Sequence, residues 1–347
     1  MMVCRAAQRE NQAMTGAYRI FGSEMSPYSV KVRSYFRYKG LPHVWVPRRA
    51  ENDEEYRRYA RLPIVPTVAT PDGQGLQDST PIIEQVEAAH PEPSIHPADP
   101  TLAFLSALIE EFGDEWGNKL MFHHRWWDPV DQDAASLVLA RLSDPFGDRD
   151  AVNARAAMIK QRMTGRGGFV GSSAATAPLI SAYYFELLDI LEPHLSTRKY
   201  LFGARPSFGD FGLAHQLYEC SVDPTCGAGM RGRAPAVLDW CHRMLEPRGD
   251  GDFETWASLA PTLTPLLGYV GRYFLPWSKA NAAALAAGEA EFSVDLPGGA
   301  YVQSPQKYHA KSLGALKAKY AAVARNAELA GILAAAGCDL VNWPAGV

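Results

Sequence analysis

Apolar and polar residues alternate at 18–22 (YRIFG) and again at 43–46 (HVWV), the period-two pattern of strands with one buried face. Between them, Val32, Tyr35 and Phe36 fall at helical spacing, which predicts a helix over 27–39. Gly40 can take the left-handed conformation that ends a helix, and Pro42 cannot continue one. ENDEEYRRYARL (51–62) predicts a short, charged helix. IVPTVAT (64–70) and GLQ (75–77) flank Pro71-Asp72-Gly73-Gln74, whose D-G pair favours a hairpin. TPIIEQVEAAH (80–90) predicts a helix with Pro81 near its first turn. The order β-α-β-α-β-β-α describes a parallel unit followed by an antiparallel hairpin and a covering helix.

PEPSIHPADP (91–100) holds four prolines and no periodic pattern, which marks a linker between a first domain at 18–90 and a second at 101–275. The second reads as almost wholly helical. Ile180, Tyr184, Leu187, Leu188 and Leu191, for example, make one wide apolar face. RMTGRGGFVGSSAAT (162–176) lacks the Lys-Ser/Thr of a phosphate loop and follows no strand, so it reads as a flexible inter-helix loop. Residues 276–347 form a mostly helical C-terminal extension, with two short runs around P-G-G at 297–299. Leu313, Leu316, Tyr320 and Val323 give it a face to bury, and no chemistry is read in it. Residues 1–17 read as a flexible leader, with Met14 as an alternative start.

The 347 residues carry a net charge of -4 and no basic cluster, which argues against nucleic-acid binding and anionic-membrane attachment. No apolar run reaches membrane-span length. Cys4, Cys220, Cys226, Cys241 and Cys338 are odd in number and form no C-x-x-C, which implies free thiols in a reducing, cytoplasmic setting.

Candidate chemistry gathers in the first domain. Ser26-Pro27 suits an N-cap and first helical residue. Val65-Pro66 sits within a strand pattern where proline cannot donate to the ladder. A cis bond there would turn the Val65 backbone outward toward an extended peptide. Asp78-Ser79 lies at a strand-to-helix junction, where amides and the helix dipole can hold a carboxylate. One ligand would satisfy all three: a small peptide with a free amino-acid end and a thiol.

S-P-Y-S-V-K-V-R (26–33), the I-V-P-T strand and Q-D-S-T-P-I-I (77–83) resemble the glutathione-binding domain of serine-type glutathione S-transferases over residues 18–95. Y-L-F-G-A-R-P-S-F-G-D-F-G-L (200–213) is similar to the family's hallmark before its central helix; there Ser207 and Asp210 read as a capping pair serving folding. The resemblance implies an α/β thioredoxin-like N-terminal domain, an all-α C-terminal domain, and here an added extension. It implies a glutathione transferase in which Ser26 faces the glutathione sulfur. Val65 would pair with the cysteinyl part, Pro66 would be the cis-proline, and Asp78 with Ser79 would receive the γ-glutamyl end. Glutathione is then co-substrate, no metal is expected, and the family habit is a homodimer.

A serine cannot form a disulfide, so thiol–disulfide exchange at position 26 is excluded. Its hydroxyl can donate to a bound thiolate. A hundredfold larger thiolate fraction requires roughly 2.7 kcal/mol, within reach of a charge-assisted hydrogen bond plus a helix end. Ser23, Tyr28 and Ser29 are rival hydroxyls. Tyr28, Phe104, Glu111 and Trp116 are the candidates for holding a small hydrophobic electrophile. His123-His124 is not a metal pair, because adjacent helical residues point apart. The reaction subtype (conjugation, ether cleavage, dehalogenation) is left open. The competing reading is a catalytically idle glutathione-binding or scaffold protein, its pocket filled by the tail.

Overall fold

The computed structural model describes residues 16–338 and 340; most of the leader, with Cys4 and Met14, lies outside them. Strands β1 (Tyr18–Gly22), β2 (His43–Pro47), β3 (Thr67–Ala69) and β4 (Gly75–Gln77) form one sheet in the order β2-β1-β3-β4. β1 runs parallel to β2, while β3 is antiparallel to both β1 and β4. Helices α1 (Pro27–Tyr38), α2 (Asp53–Tyr59) and α3 (Ser79–Ala89) complete a thioredoxin-like unit. β3 starts at Thr67 rather than at residue 64, since Pro66 has no N–H to give a ladder.

An all-helical region follows: α4 (Pro100–Phe112), α5 (Asn118–Trp127), α6 (Pro129–Ser143), α7 (Arg149–Thr164), α8 (Ala177–Leu195), α9 (Phe208–Val222), α10 (Pro224–Arg233), α11 (Pro235–Arg243) and α12 (Trp256–Tyr269). A π turn at Gly113–Gly117 joins α4 to α5. α9 opens on a capping box, the Asp210 carboxylate accepting from the Ser207 N–H at 2.8 Å while Ser207 Oγ accepts from the Asp210 N–H. Where α9 crosses the α4 end, a side chain at Gly113 would meet the Gly212–Leu213 backbone at 2.6 Å. Glycine is needed there for close approach of two helices.

The extension comprises α13 (Leu275–Ala287), the hairpin β5 (Phe292–Leu296) with β6 (Gly299–Gln303), α14 (Lys307–Val323) and α15 (Ala327–Ala335). A π turn at Val270–Phe274 makes α12 and α13 continuous, so a boundary at 275/276 falls inside one helical rod. Trp277 stacks in the aromatic cluster of Trp116 and Phe274, and the main hydrophobic core runs from Ile20 through α9 to Leu340, beside a small second cluster of Phe21, Val46, Tyr56 and Ala69. The glycine-rich loop is pinned rather than free: the Tyr301 hydroxyl donates to Val170 O and Gln303 Nε2 to Phe169 O. No helix among the described residues is long and apolar enough to cross a membrane.

Candidate active site between α1, α3, α4 and α14

A cavity of about 340 Å³ lies where the first domain meets α4, and α14 forms its far wall. Val65, Pro66, Asp78 and Ser79 all border it, as do Tyr28 and Glu111. Phe104 and Trp116 do not. Phe104 packs on Tyr320, and Trp116 is enclosed by Tyr183, Tyr273, Trp277 and Tyr301, so both are core residues. Their spacing on apolar helix faces is shared by core and pocket aromatics, which is why sequence alone did not separate the two.

Ser26 caps α1, its Oγ accepting from the Ser29 N–H at 3.3 Å, which leaves the O–H free to donate. It stands at the mouth of α1 and is not among the residues that line the cavity. Arg125 fixes the approach to it. The guanidinium is buried against Glu219 and Asp223 at 2.6 and 2.8 Å and donates to Met25 O at 3.0 Å. Of the rival hydroxyls, Tyr28 is engaged and Ser29 enclosed, while Ser23, like Ser26, only accepts a backbone N–H. Tyr28 donates to Asp114 O at 2.9 Å and is held far above the ordinary phenol pKa by burial and then by Glu115 and Asp114. Ser29 is fully buried, and Ser23 Oγ accepts from the Met25 N–H.

The Val65–Pro66 peptide is cis, and the Val65 backbone makes no hydrogen bond among the described residues. Asp78 has φ +81°, a conformation that a non-glycine residue adopts only at a cost, and it caps α3 directly above the cavity. Its carboxylate accepts the Tyr308 hydroxyl of α14. Ser79 turns its hydroxyl to Asp114 Oδ2 at 3.4 Å.

Beneath these lies a charge cluster that the sequence reading missed. Lys31 Nζ, 1% exposed, is 2.5 Å from Glu110 Oε1 and 2.6 Å from Asp114 Oδ2, and donates to Thr80 Oγ1 at 3.1 Å. Burial alone would lower the Lys31 pKa, but Asp114 and Glu110 outweigh it and raise it. Burial pushes Asp114 up to about 7 against the pull of Lys31. Glu111 is pushed up to about 8 by burial and then by Glu110, and Glu115 up to about 7 by burial despite His309. The signal was present: Glu110/Asp114 and Glu111/Glu115 are i,i+4 acidic pairs on otherwise apolar turns, and Lys31 lies on the inner face of α1.

The extension takes part as well, contrary to the expectation that it holds no chemistry. Besides Tyr308, Ser312 Oγ donates to Glu111 Oε1 at 2.6 Å and Lys319 pairs with Glu84 across the cavity. His123 and His124 hydrogen-bond Ser172 Oγ and Leu120 O, and converge on no metal-binding group among the described residues.

Residues 20–94 match the family model described as glutathione S-transferase, N-terminal domain. Over that segment the chain is similar to a glutathione S-transferase N-terminal domain. No curated protein sequence matches the chain. Similar solved structures include a glutathione S-transferase from Methylobacterium radiotolerans in complex with glutathione sulfonate, 22% identical over 71% of this chain and 94% of that one, TM-score 0.37. A second is a glutathione S-transferase from Methylobacillus flagellatus with glutathione bound, 17% identical over 66% and 95%, TM-score 0.40. A third is a beta-etherase from Sphingobium sp. strain SYK-6, 17% identical over 66% and 94%, TM-score 0.43. In this chain the sheet domain supplies one wall of the cavity and the extension the other.

Proposed function

We propose that this protein is a glutathione transferase that activates the glutathione thiolate for attack on a small hydrophobic electrophile. The observation that carries this reading is the convergence on one cavity of an unpaired Val65 backbone, the Asp78 carboxylate and the open N-terminus of α3. The Val65 N–H and C=O pair with the cysteinyl backbone of the tripeptide. The free amides at the start of α3 take the γ-glutamyl carboxylate, helped by the helix dipole, while Asp78 takes its ammonium. The Ser26 hydroxyl donates to the thiolate and keeps it ionised at neutral pH. Ala107, Ala315 and Leu316 give the cavity an apolar flank for the electrophile. A homodimer and a cytoplasmic setting belong to the same proposal.

One observation favours the second reading, a site occupied by the protein's own tail: the Tyr308 hydroxyl sits on the Asp78 carboxylate, where the ligand ammonium would bind. Calorimetric titration of glutathione into the wild type, Ser26→Ala and Tyr308→Phe, with thiolate absorbance followed against pH, separates them. The transferase reading expects all three to bind and only the Ser26 proteins to shift the thiol titration downward. Binding by Tyr308→Phe alone supports the tail-occupied reading. Binding by none sinks the glutathione assignment.

A further inference from the structure

His309 on α14 is fully buried, and its Nδ1 has no hydrogen-bond partner. That nitrogen points between two carboxylates, 3.3 Å from Glu111 Oε1 and 3.6 Å from Glu115 Oε2. The three atoms lie within 4.8 Å of one another. Both contacts to Nδ1 exceed the usual N–H···O separation of about 2.9–3.0 Å. They match instead the edge of a tetrahedron around a zinc ion: ligand bonds near 2.1 Å place neighbouring ligands about 3.4 Å apart. We propose that Glu111, Glu115 and His309 form a binding site for a divalent transition-metal cation, zinc by its ligand set, with the fourth position open to the cavity.

The surroundings suit that role. Ser278 Oγ sits 2.6 Å from His309 Nε2, so Nε2–H can donate to it and leave the Nδ1 lone pair for the metal, the arrangement that orients metal-bound histidines. Ser312 Oγ likewise donates to Glu111 Oε1 and holds that carboxylate in place. Trp277 and Phe274 pack on the imidazole, with ring centroids 4.7 and 5.7 Å away, and fix its plane. Glu111 and Glu115 both border the cavity, so solvent or a ligand atom entering there completes the coordination. The competing cation is Lys119, whose Nζ lies over the Trp277 ring at 3.8 Å and whose charge acts on Glu115. The histidine comes from α14 and the carboxylates from α4 and the π turn, so a bound metal would also pin the extension over the cavity. The sequence reading expected no metal, having weighed only the adjacent His123-His124; Glu111 and Glu115 lie almost two hundred positions from His309 and were not brought together.

The test uses the full chain, stripped with a chelator, and titrated with Zn²⁺ against a chromophoric competitor and with Co²⁺ by visible absorption. One equivalent of Zn²⁺ is expected, with the intense d–d bands of tetrahedral Co²⁺. Glu115→Gln and His309→Gln should each weaken affinity by about 100-fold or more, with circular dichroism reporting the fold. Glu115→Gln keeps shape and volume, so it answers even if His309→Gln fails to fold. Absence of stoichiometric binding by the wild type overturns the proposal. So does equal affinity in wild type and Glu115→Gln, which would mark adventitious binding elsewhere.

Discussion

Replacing Lys31 by methionine tests whether the buried charge cluster joins the two domains. Lys31 comes from α1, its partners Glu110 and Asp114 from α4 and the following turn, and Thr80 from α3. Methionine preserves most of the side-chain volume and removes the charge, leaving Glu110 and Asp114, both less than a tenth exposed, without a cation. Deleting one partner of a buried ion pair costs about 3–5 kcal/mol, because the survivor stays desolvated. The triple variant Lys31→Met/Glu110→Gln/Asp114→Asn removes all three charges, and should recover most of that loss, since a neutral amide carries a far smaller burial penalty than a charge. The assay is urea unfolding followed by tryptophan fluorescence and circular dichroism, whose coincidence checks for one cooperative transition. A loss below about 1 kcal/mol in Lys31→Met, or no recovery in the triple variant, would refute the view that desolvated charge dominates at this junction.

Gly113→Ala should destabilise despite the roughly 1 kcal/mol better helix propensity of alanine. Its Cβ would sit 2.6 Å from the α9 backbone, and such overpacking costs about 1–3 kcal/mol or more. Gly314→Ala in α14, where nothing lies within 4 Å of the added carbon, should stabilise by up to about 1 kcal/mol, and thermal melts of the pair decide the point. Asp210→Ala should cost more than about 3 kcal/mol, well above an ordinary cap, because the carboxylate also accepts from the Leu201 N–H and Trp240 Nε1 at 2.8 Å; an unfolding midpoint near wild type would contradict it. His215 is fully buried, hydrogen-bonds Ser34 Oγ across the domain junction, and is pushed down to about 4 by burial. The unfolded chain takes up that proton below about pH 6.5 and the folded chain only near 4. This share of stability is therefore present in full above 6.5 and lost on acidification through that window, by up to about 3 kcal/mol. His215→Gln should flatten the pH dependence of urea unfolding between 7 and 4.

The sheet domain was legible because each of its signals is local. A period-two run, the Ser26-Pro27 cap and the Asp72-Gly73 turn each span a few residues, and the structure places each where its local chemistry dictates; the Ser207–Asp210 box of the helical region was legible for the same reason. The cavity was legible on one side only. Val65, Asp78 and Ser79 belong to local motifs, whereas Tyr308, His309 and Ser312 acquire meaning only once α14 folds back on α4. Phe104 and Trp116 show the reverse failure: an aromatic residue on an apolar face has the same pattern whether it faces a pocket or a core. At 275/276, where the sequence reading divided the helical domain from the extension, a π turn keeps the helix continuous, and a turn of that kind leaves no local sequence signal.

The contact between Asp78 and Tyr308 joins residues 230 positions apart in the chain. Synthesis at about 5–20 residues per second separates the two walls of the cavity by roughly 12–46 s. During that interval the sheet domain, which can form its hairpin and capped helices as soon as it emerges, presents Val65, Asp78 and the start of α3 without a lid. The site is thus assembled in two instalments, and the acidic turn of α4 stays open to water and to ions until the last helices arrive to cover it.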